Sequence, residues 1–369
     1  MSAMPATANR LDPPETVEPE TRERPFLSVD GLRKYFRLRG GSWGVGGAYV
    51  QAVDGISFAV AAGETLGVVG ESGCGKSTTA RLLMRLIDPD AGEILLDGRD
   101  VGGRDGMSLR TLRRQVQMVF QDSYSSLNPR HTMAEEVSFG LTAQGVRRAE
   151  ARRRANEILD FVGLEPAIFA DRYPHELSGG QRQRVNVARA LALNPRLLLL
   201  DEAVSSLDKS VEAQVLNLLI EIKERLGLTY VFISHDLNVV RFISDRVLVM
   251  YLGKVVEIGP VASVYGAPGH PYTSALIASR LSMDPRRRIE APPVVGDLPS
   301  PINPPSGCRF RTRCPLAEAV CADRDPALEP FGQERTHLAA CHALVPGSGH
   351  SQAPARRVEA APATEARPR

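Results

Sequence analysis

The chain has 369 residues, 43% of them apolar, and its 45 basic and 43 acidic side chains leave a net charge of +2. That length suits two domains or one large domain with an appendage, and the balanced charge excludes a global field that would gather nucleic acid or anionic lipid. No apolar run approaches the about eighteen residues of a membrane-spanning helix, and Met1 to Pro25 is rich in Pro, Glu and Thr where a secretory signal is apolar.

The chain is therefore expected to stay in the cytosol, a setting that argues against disulfides among the cysteines. Residues 1–25 and about 346–369 are rich in Pro, Ala, Glu and Arg with few apolar anchors, and are expected to be disordered tails. From Phe26 the pattern alternates between strand and helix: a strand over Thr65–Val69, a helix over Lys76–Ile87, and strands over Glu93–Leu96 and Val116–Phe120. Gly40 to Gly47 reads as a glycine-rich loop. From Met133 to Leu193 the pattern turns helical, with an amphipathic stretch at Ala149–Val162 and a helix opening at the Gly179-Gly180 pair. Strands resume at Leu197–Leu200, Thr229–Ser234, Arg246–Tyr251 and Lys254–Ile258, with a helix over Val211–Leu226. Helical crossovers of that length predict a largely parallel sheet. Beyond Ala267 come a short helix, Pro-rich sequence around Pro292–Pro305 and a cysteine cluster, the marks of a small appended domain.

The stretch Gly70, Glu71, Ser72, Gly73, Cys74, Gly75, Lys76, Ser77, Thr78 follows an apolar strand and opens a helix. Its glycines and Gly75-Lys76-Ser77 fit G-x-x-x-x-G-K-[ST], a loop whose backbone N–H groups curl around a phosphate at a helix N-terminus. Lys76 is then expected to reach the β- and γ-phosphates and Ser77 to bind Mg²⁺. Cys74, a thiol at a helix N-terminus, is expected to be reactive. Four leucines end in Asp201 and Glu202, and ligands of open α/β sheets bind beyond the carboxyl ends of the strands. Asp201 is expected to hold Mg²⁺ and Glu202 to polarise the attacking water as general base. The basic run Arg147, Arg148, Arg152, Arg153, Arg154 is interleaved with Glu150 and Glu157 and lacks aromatic residues, so a solvated face is favoured over a nucleic-acid surface.

Leu177-Ser178-Gly179-Gly180-Gln181, lying between the glycine loop and the acidic strand end, resembles the signature of ABC-type ATPases. Gln121 matches that family's Q-loop, Ser206-Leu207-Asp208 its D-loop and His235 its switch histidine, and the resemblance covers roughly residues 26–265. It implies an α/β, P-loop ABC-type fold: a RecA-like core, an antiparallel β subdomain and an inserted helical subdomain at about 122–194, within an ATPase domain of 26–266. It implies that ATP and Mg²⁺ bind at the loop, with Gln121 and His235 joining Glu202 in catalysis and Gln121 also touching Mg²⁺. A second ATPase subunit would add its own Ser178–Gln181 signature and Asp208 across the dimer, and an aromatic residue would stack on adenine, here Phe36 or its neighbour Tyr35. Ala203 stands where the family usually has proline and Ser206 where it has alanine; neither removes a functional group.

Tyr251 to Glu257, Pro268 to Thr273 and Gly307 to Pro315 resemble the ATPase subunits of oligopeptide/dipeptide importers, with a Cys-rich C-terminal domain at 267–345. The resemblance implies a motor for peptide import with two transmembrane permeases, an extracytoplasmic substrate-binding protein, a related second ATPase as heterodimer partner, no nucleic acid, and a place at the cytoplasmic face of the membrane. Nickel and glutathione importers share the architecture, and soluble ABC-type proteins acting on ribosomes or DNA are the rival from another class. Cys308, Cys314, Cys321 and Cys341 are separated by five, six and nineteen residues. Members with that pattern hold a [4Fe–4S] cluster; zinc, with His337 or His342 as substitute ligands, and four free thiols are the alternatives.

Overall fold

The computed structural model describes residues 24–38, 48–102, 106–122, 124–279, 296–332 and 335–354. It divides into two compact units, residues 1–254 and 255–369. The expected loop at Gly40–Gly47 lies outside the described residues.

The first unit opens with two long antiparallel strands, β1 (Leu27–Arg37) and β2 (Tyr49–Val60), their register broken by bulges. β3 (Thr65–Val69) leads through the glycine loop into α1 (Lys76–Leu83), which stops short of the expected Ile87 where Arg85 turns to φ 51°. β4 (Ala91–Leu96) pairs with β1, and β5 (Arg99–Asp100) pairs with β4, completing the antiparallel sheet β2-β1-β4-β5. After α2 (Leu109–Gln115) and β6 (Val116–Val119) comes the helical stretch. It consists of α3 (Met133–Ala143), α4 (Arg148–Phe161), the short α5 (Pro166–Phe169) and α6 (Gly179–Leu191). Thr132 caps α3 and Ser178 caps α6, each in a reciprocal capping box. In α4, Glu150 and Glu157 hold Arg153 at 2.8 and 2.6 Å and Glu150 holds Arg154 at 2.7 Å, so those arginines sit in ion pairs on an exposed face.

The core sheet is completed by β7 (Leu197–Asp201), α7 (Lys209–Leu226), β8 (Thr229–Ile233), α8 (Leu237–Ile243) and β9 (Arg246–Tyr251). Its order is β9-β3-β8-β7-β6, all parallel, as the crossover lengths predict. β3, β7 and β8 are buried along their whole length, which is why they read as unbroken apolar runs.

The second unit begins earlier than the texture of the sequence suggests. β10 (Lys254–Pro260) pairs antiparallel with β12 (Leu338–Ala339), which also pairs with β11 (Glu329–Pro330). Between them lie α9 (Val261–Gly266), α10 (Pro271–Ala278) and α11 (Ala319–Asp323). The fully buried Glu257 ties β10 into the second unit: its carboxylate accepts the N–H groups of Gly269 and His270 and meets the ring Nε2 of His337, each at 2.8 Å. One side chain of β10 thus gathers residues 12 to 80 positions away. Phe310 packs against Tyr272 and His270 with ring centroids 5.4 and 5.7 Å apart, and burial pushes His270 down to about 4. Within the tail expected from about 346, Ser348 and His350 are buried, with Ser348 Oγ donating to the His342 carbonyl at 2.7 Å and His350 Nε2 2.8 Å from the Leu316 carbonyl. Residues 355–369, like 1–23, lie outside the described residues.

Gly67, mid-β3, has no room for a side chain: an added Cβ would lie 2.4 Å from Val240 Cγ1 and 2.5 Å from Ser244 Oγ of the α8 segment. Gly67→Val is expected to lower unfolding stability by about 1–3 kcal/mol through overpacking, read from urea midpoints at unchanged m-value.

Candidate nucleotide site

The site lies at the carboxyl edge of the parallel sheet, where β3, β6, β7 and β8 each deliver one piece. Parallel pairing sets Val68 and Asp201 beside Ile233, and Val119 beside Leu200, so the residues that follow these strands emerge together.

After β3 the loop closes back on the body of the unit. Gly70 and Gly75 take φ 151° and 110°, and a Cβ on them would strike the Met250 and Ala52 carbonyls at 2.2 and 2.3 Å. Only glycine lets the backbone pass there and turn its N–H groups inward. The Gly253 N–H donates to the Cys74 carbonyl at 2.8 Å, bracing the loop from the β9 side. Lys76 is 5% exposed, and its Nζ donates to the Gly70 and Glu71 carbonyls at 2.7 and 3.1 Å. No carboxylate among the described residues forms an ion pair with it. A buried ammonium held by neutral acceptors, two carbonyls and the Cys74 sulfur, at a glycine cradle fits an anionic phosphate.

Ser77 Oγ donates to Asp201 Oδ1 at 3.1 Å, bringing together the two expected Mg²⁺ ligands from α1 and β7. Burial pushes the Asp201 carboxyl above its usual range, the Ser77 bond opposes this, and the Glu202 charge adds to it. Glu202 stands one residue further at φ 50°, a left-handed backbone that a non-glycine residue adopts only where its surroundings enforce it. There its Oε2 accepts Gln121 Nε2 at 2.8 Å and lies 3.3 Å from His235 Nδ1. Two residues from two separated motifs, Gln121 and His235, therefore converge on the carboxylate of a third, Glu202.

Phe36 is 39% exposed near the end of β1, paired in register with Val50 of β2, two residues before the Ala52 carbonyl that Gly75 approaches. Tyr35 is tied down by its hydroxyl bond to Asp54 and its N–H bond to Asp90. Ser178, Gly179, Gly180 and Gln181 form the first turn of α6 with Ser178 N donating to Gln181 Oε1 at 2.9 Å, and Asp208 stands exposed at the start of α7. Sequence reasoning passed over Lys209, whose ammonium bridges Glu212 and Asp236 at 2.9 Å each and so links the segment after Asp208 to the one after His235. A lone lysine beside an aspartate gives no signal of that bridge.

Two expectations change. Cys74 is 1% exposed and burial raises its thiol pKa against the opposing pull of Lys76, so the helix N-terminus does not activate it. Among the described residues no group of three or more His, Cys, Asp or Glu side chains could hold a metal ion. The [4Fe–4S] cluster expected at Cys308, Cys314, Cys321 and Cys341, and zinc with His337 or His342 as substitutes, are therefore not supported, although Cys314, Cys321 and Cys341 lie near enough to act electrostatically on Cys308. Burial pushes Cys308 up to about 12 and Cys341 up to about 11, and raises Cys314 as well. His337 is taken by Glu257, and His342 Nε2 lies 2.9 Å from the Arg324 carbonyl.

A parallel sheet ending in a glycine cradle and paired acids defines a phosphate-binding ATPase fold. The family pattern described as ABC transporter matches residues 53–205, and that of the oligopeptide/dipeptide transporter, C-terminal region, matches 256–321. A probable peptide ABC transporter ATP-binding protein, y4tS, of Sinorhizobium fredii is 49% identical over 324 residues, covering 88% of this chain and 91% of that one. The oligopeptide transport ATP-binding protein AppF of Bacillus subtilis is 47% identical over 321 residues, covering 86% and 97%. Among solved structures, the ATP-binding cassette MJ0796, a dimer in a post-hydrolysis state bound to ADP and Pi, is 30% identical, covers 64% of this chain and 98% of its own, and has a TM-score of 0.56. The chain belongs to the ABC transporter ATPases, in the branch that carries the oligopeptide/dipeptide transporter C-terminal region. Its activity is ATP hydrolysis coupled to transport.

Ionising the buried Asp201 costs folding free energy that is absent below its unfolded pKa and appears as pH rises through the raised folded value. Relative to wild type without nucleotide, Asp201→Asn is therefore expected to gain more melting temperature at pH 7 than at pH 3.5, and a pH series of thermal melts checks it.

Proposed function

We propose that the chain is the ATP-hydrolysing motor of a peptide importer, working at the cytoplasmic face of a membrane with permease subunits, a second ATPase subunit and an external binding protein. The observation that carries the motor is the buried Lys76 ammonium, without a carboxylate ion-pair partner among the described residues, set beside the Ser77–Asp201 and Gln121–Glu202–His235 groups. The peptide cargo rests on the similarity to y4tS and AppF, both peptide or oligopeptide transport ATP-binding proteins by name, and on the matched C-terminal region. No helix of the described residues is long and apolar enough to cross a membrane, so the translocation path belongs to other chains in this reading.

In this reading the residues 70–78 hold the triphosphate by backbone N–H groups and Lys76, while Phe36 lies against adenine. Ser77 and Asp201, with Gln121, would hold Mg²⁺, which offsets the charge developing on the phosphates. Glu202 takes the proton of the attacking water. Its strained backbone and the Gln121 and His235 contacts fix the carboxylate, so it is oriented before the water arrives. Ser178–Gln181 offer N–H groups and a helix N-terminus to the γ-phosphate held by the second subunit, and Asp208 faces that subunit.

Glu202→Gln keeps the shape of the site but removes the base. It is expected to bind ATP normally and hydrolyse it about 10²–10⁴-fold more slowly, with His235→Ala milder; near-normal turnover of Glu202→Gln in a phosphate-release assay would remove Glu202 from the role.

The cysteine quartet stands outside this proposal. Iron, acid-labile sulfide and zinc assays on anaerobically purified chain decide what it holds: about four irons and four sulfides per chain would support the cluster that the family resemblance implies, zinc alone the alternative site, and absence of both metals four free thiols.

A further inference from the structure

One stripe of the signature helix α6 is occupied by the segment that follows Gln121. Arg182, Asn186 and Arg189 recur at four and then three residues, so they lie on one face of the helix. The Arg182 guanidinium lies 5.2 Å over the Tyr124 ring and also acts on Asp122, whose carboxylate caps the Tyr124 and Ser125 N–H groups. Ser126 Oγ donates to Asn186 Oδ1 at 3.0 Å, and Arg189 donates to the Ser126 carbonyl. Arg189 Nη1 also meets Glu136 Oε1 at 2.8 Å, where the two side chains are only 21% and 7% exposed. The second oxygen of Glu136 takes His131 Nδ1 at 3.1 Å. His131 in turn lines a cleft of about 340 Å³ with Glu135, Phe139, Arg148 and Arg152.

We propose that Arg189 and Glu136 are positioning residues for ATP hydrolysis: Glu136 of α3 holds the Arg189 guanidinium, which in turn binds the Ser126 carbonyl of the segment after Gln121 to the signature helix, so that Gln121 at Glu202 and Ser178–Gln181 shift as one body. This rests on the ATPase reading above and adds to it the element that joins its two halves. α6 is a continuous helix of 13 residues, stiff enough to carry a displacement at Arg189 to its first turn. The Arg189–Glu136 pair is the stripe's least exposed charge–charge contact among the described residues, and such a pair punishes separation of its members. Neither residue touches the glycine loop, so ATP affinity of the single chain is left to other groups.

The test uses full-length chain, both alone and in its purified transporter assembly. Arg189→Gln and Glu136→Gln are each expected to lower kcat of the assembly about tenfold, an ordinary coupling magnitude, while ATP Kd of the unassembled chain stays within about twofold. Each single variant removes one charge of the pair and leaves the other without its opposite number across the α3–α6 contact, so each should also melt early. The double Arg189→Gln/Glu136→Gln variant removes both charges and is expected to regain melting temperature but not kcat. Arg189→Lys, which keeps the pair, is expected to recover most of kcat. A double variant with wild-type melting and wild-type kcat overturns the proposal, as does a well-folded Arg189→Lys as slow as Arg189→Gln. Absence of hydrolysis in the wild-type assembly would instead overturn the ATPase reading, and this proposal with it.

Discussion

Everything the site uses hangs from the carboxyl edge of one parallel sheet. In a parallel ladder all strands end on the same side, and here β3, β6, β7 and β8 end beside one another in fixed register. The glycine loop, Gln121, Asp201, Glu202 and His235 are far apart in sequence and are neighbours only because of that register. A slip of one residue in β7 would turn Asp201 away from Ser77, since side chains alternate between faces. Full burial of β3, β7 and β8 opposes such a slip, because either face of a slipped strand would meet side chains of the wrong shape.

Much of this was legible in sequence because it is local. A glycine loop between an apolar strand and a helix, four leucines ending in two acids, and Ser178 three residues before Gln181 each carry their own physical reason. Gln121 and His235 were legible only as members of an ordered set: alone, an amide or imidazole after a strand says little, and their meeting on Glu202 is a tertiary fact. The end of α1 at Leu83 was not legible either, since Leu86 and Ile87 continue the helical spacing until Arg85 turns left-handed.

The larger departures share one cause, which is burial. Position in the loop suggested an activated thiol at Cys74, yet loss of solvent outweighs the nearby ammonium. Texture placed a domain edge near 266, yet the second unit starts at 255, with Glu257 tying β10 into it. A run of small and polar residues from 346 suggested a tail, yet Ser348 and His350 find buried partners. Neither solvent loss nor a long-range partner is written in neighbouring residues, so periodicity and spacing pass over both. The four thiols of the second unit, singled out by their likeness to a family pattern, do lie near enough to act on one another electrostatically.

The way Lys76 waits in its loop bears on which molecules the site can tell apart. Its ammonium is already solvated by two backbone carbonyls, which are neutral acceptors that must be surrendered or shared when a ligand enters. An uncharged nucleoside offers nothing to compensate for them, whereas phosphate oxygens replace dipoles with full charge in a site screened from water. Discrimination between a nucleotide and its bare nucleoside is therefore set by the backbone of the loop, before the base has made any contact.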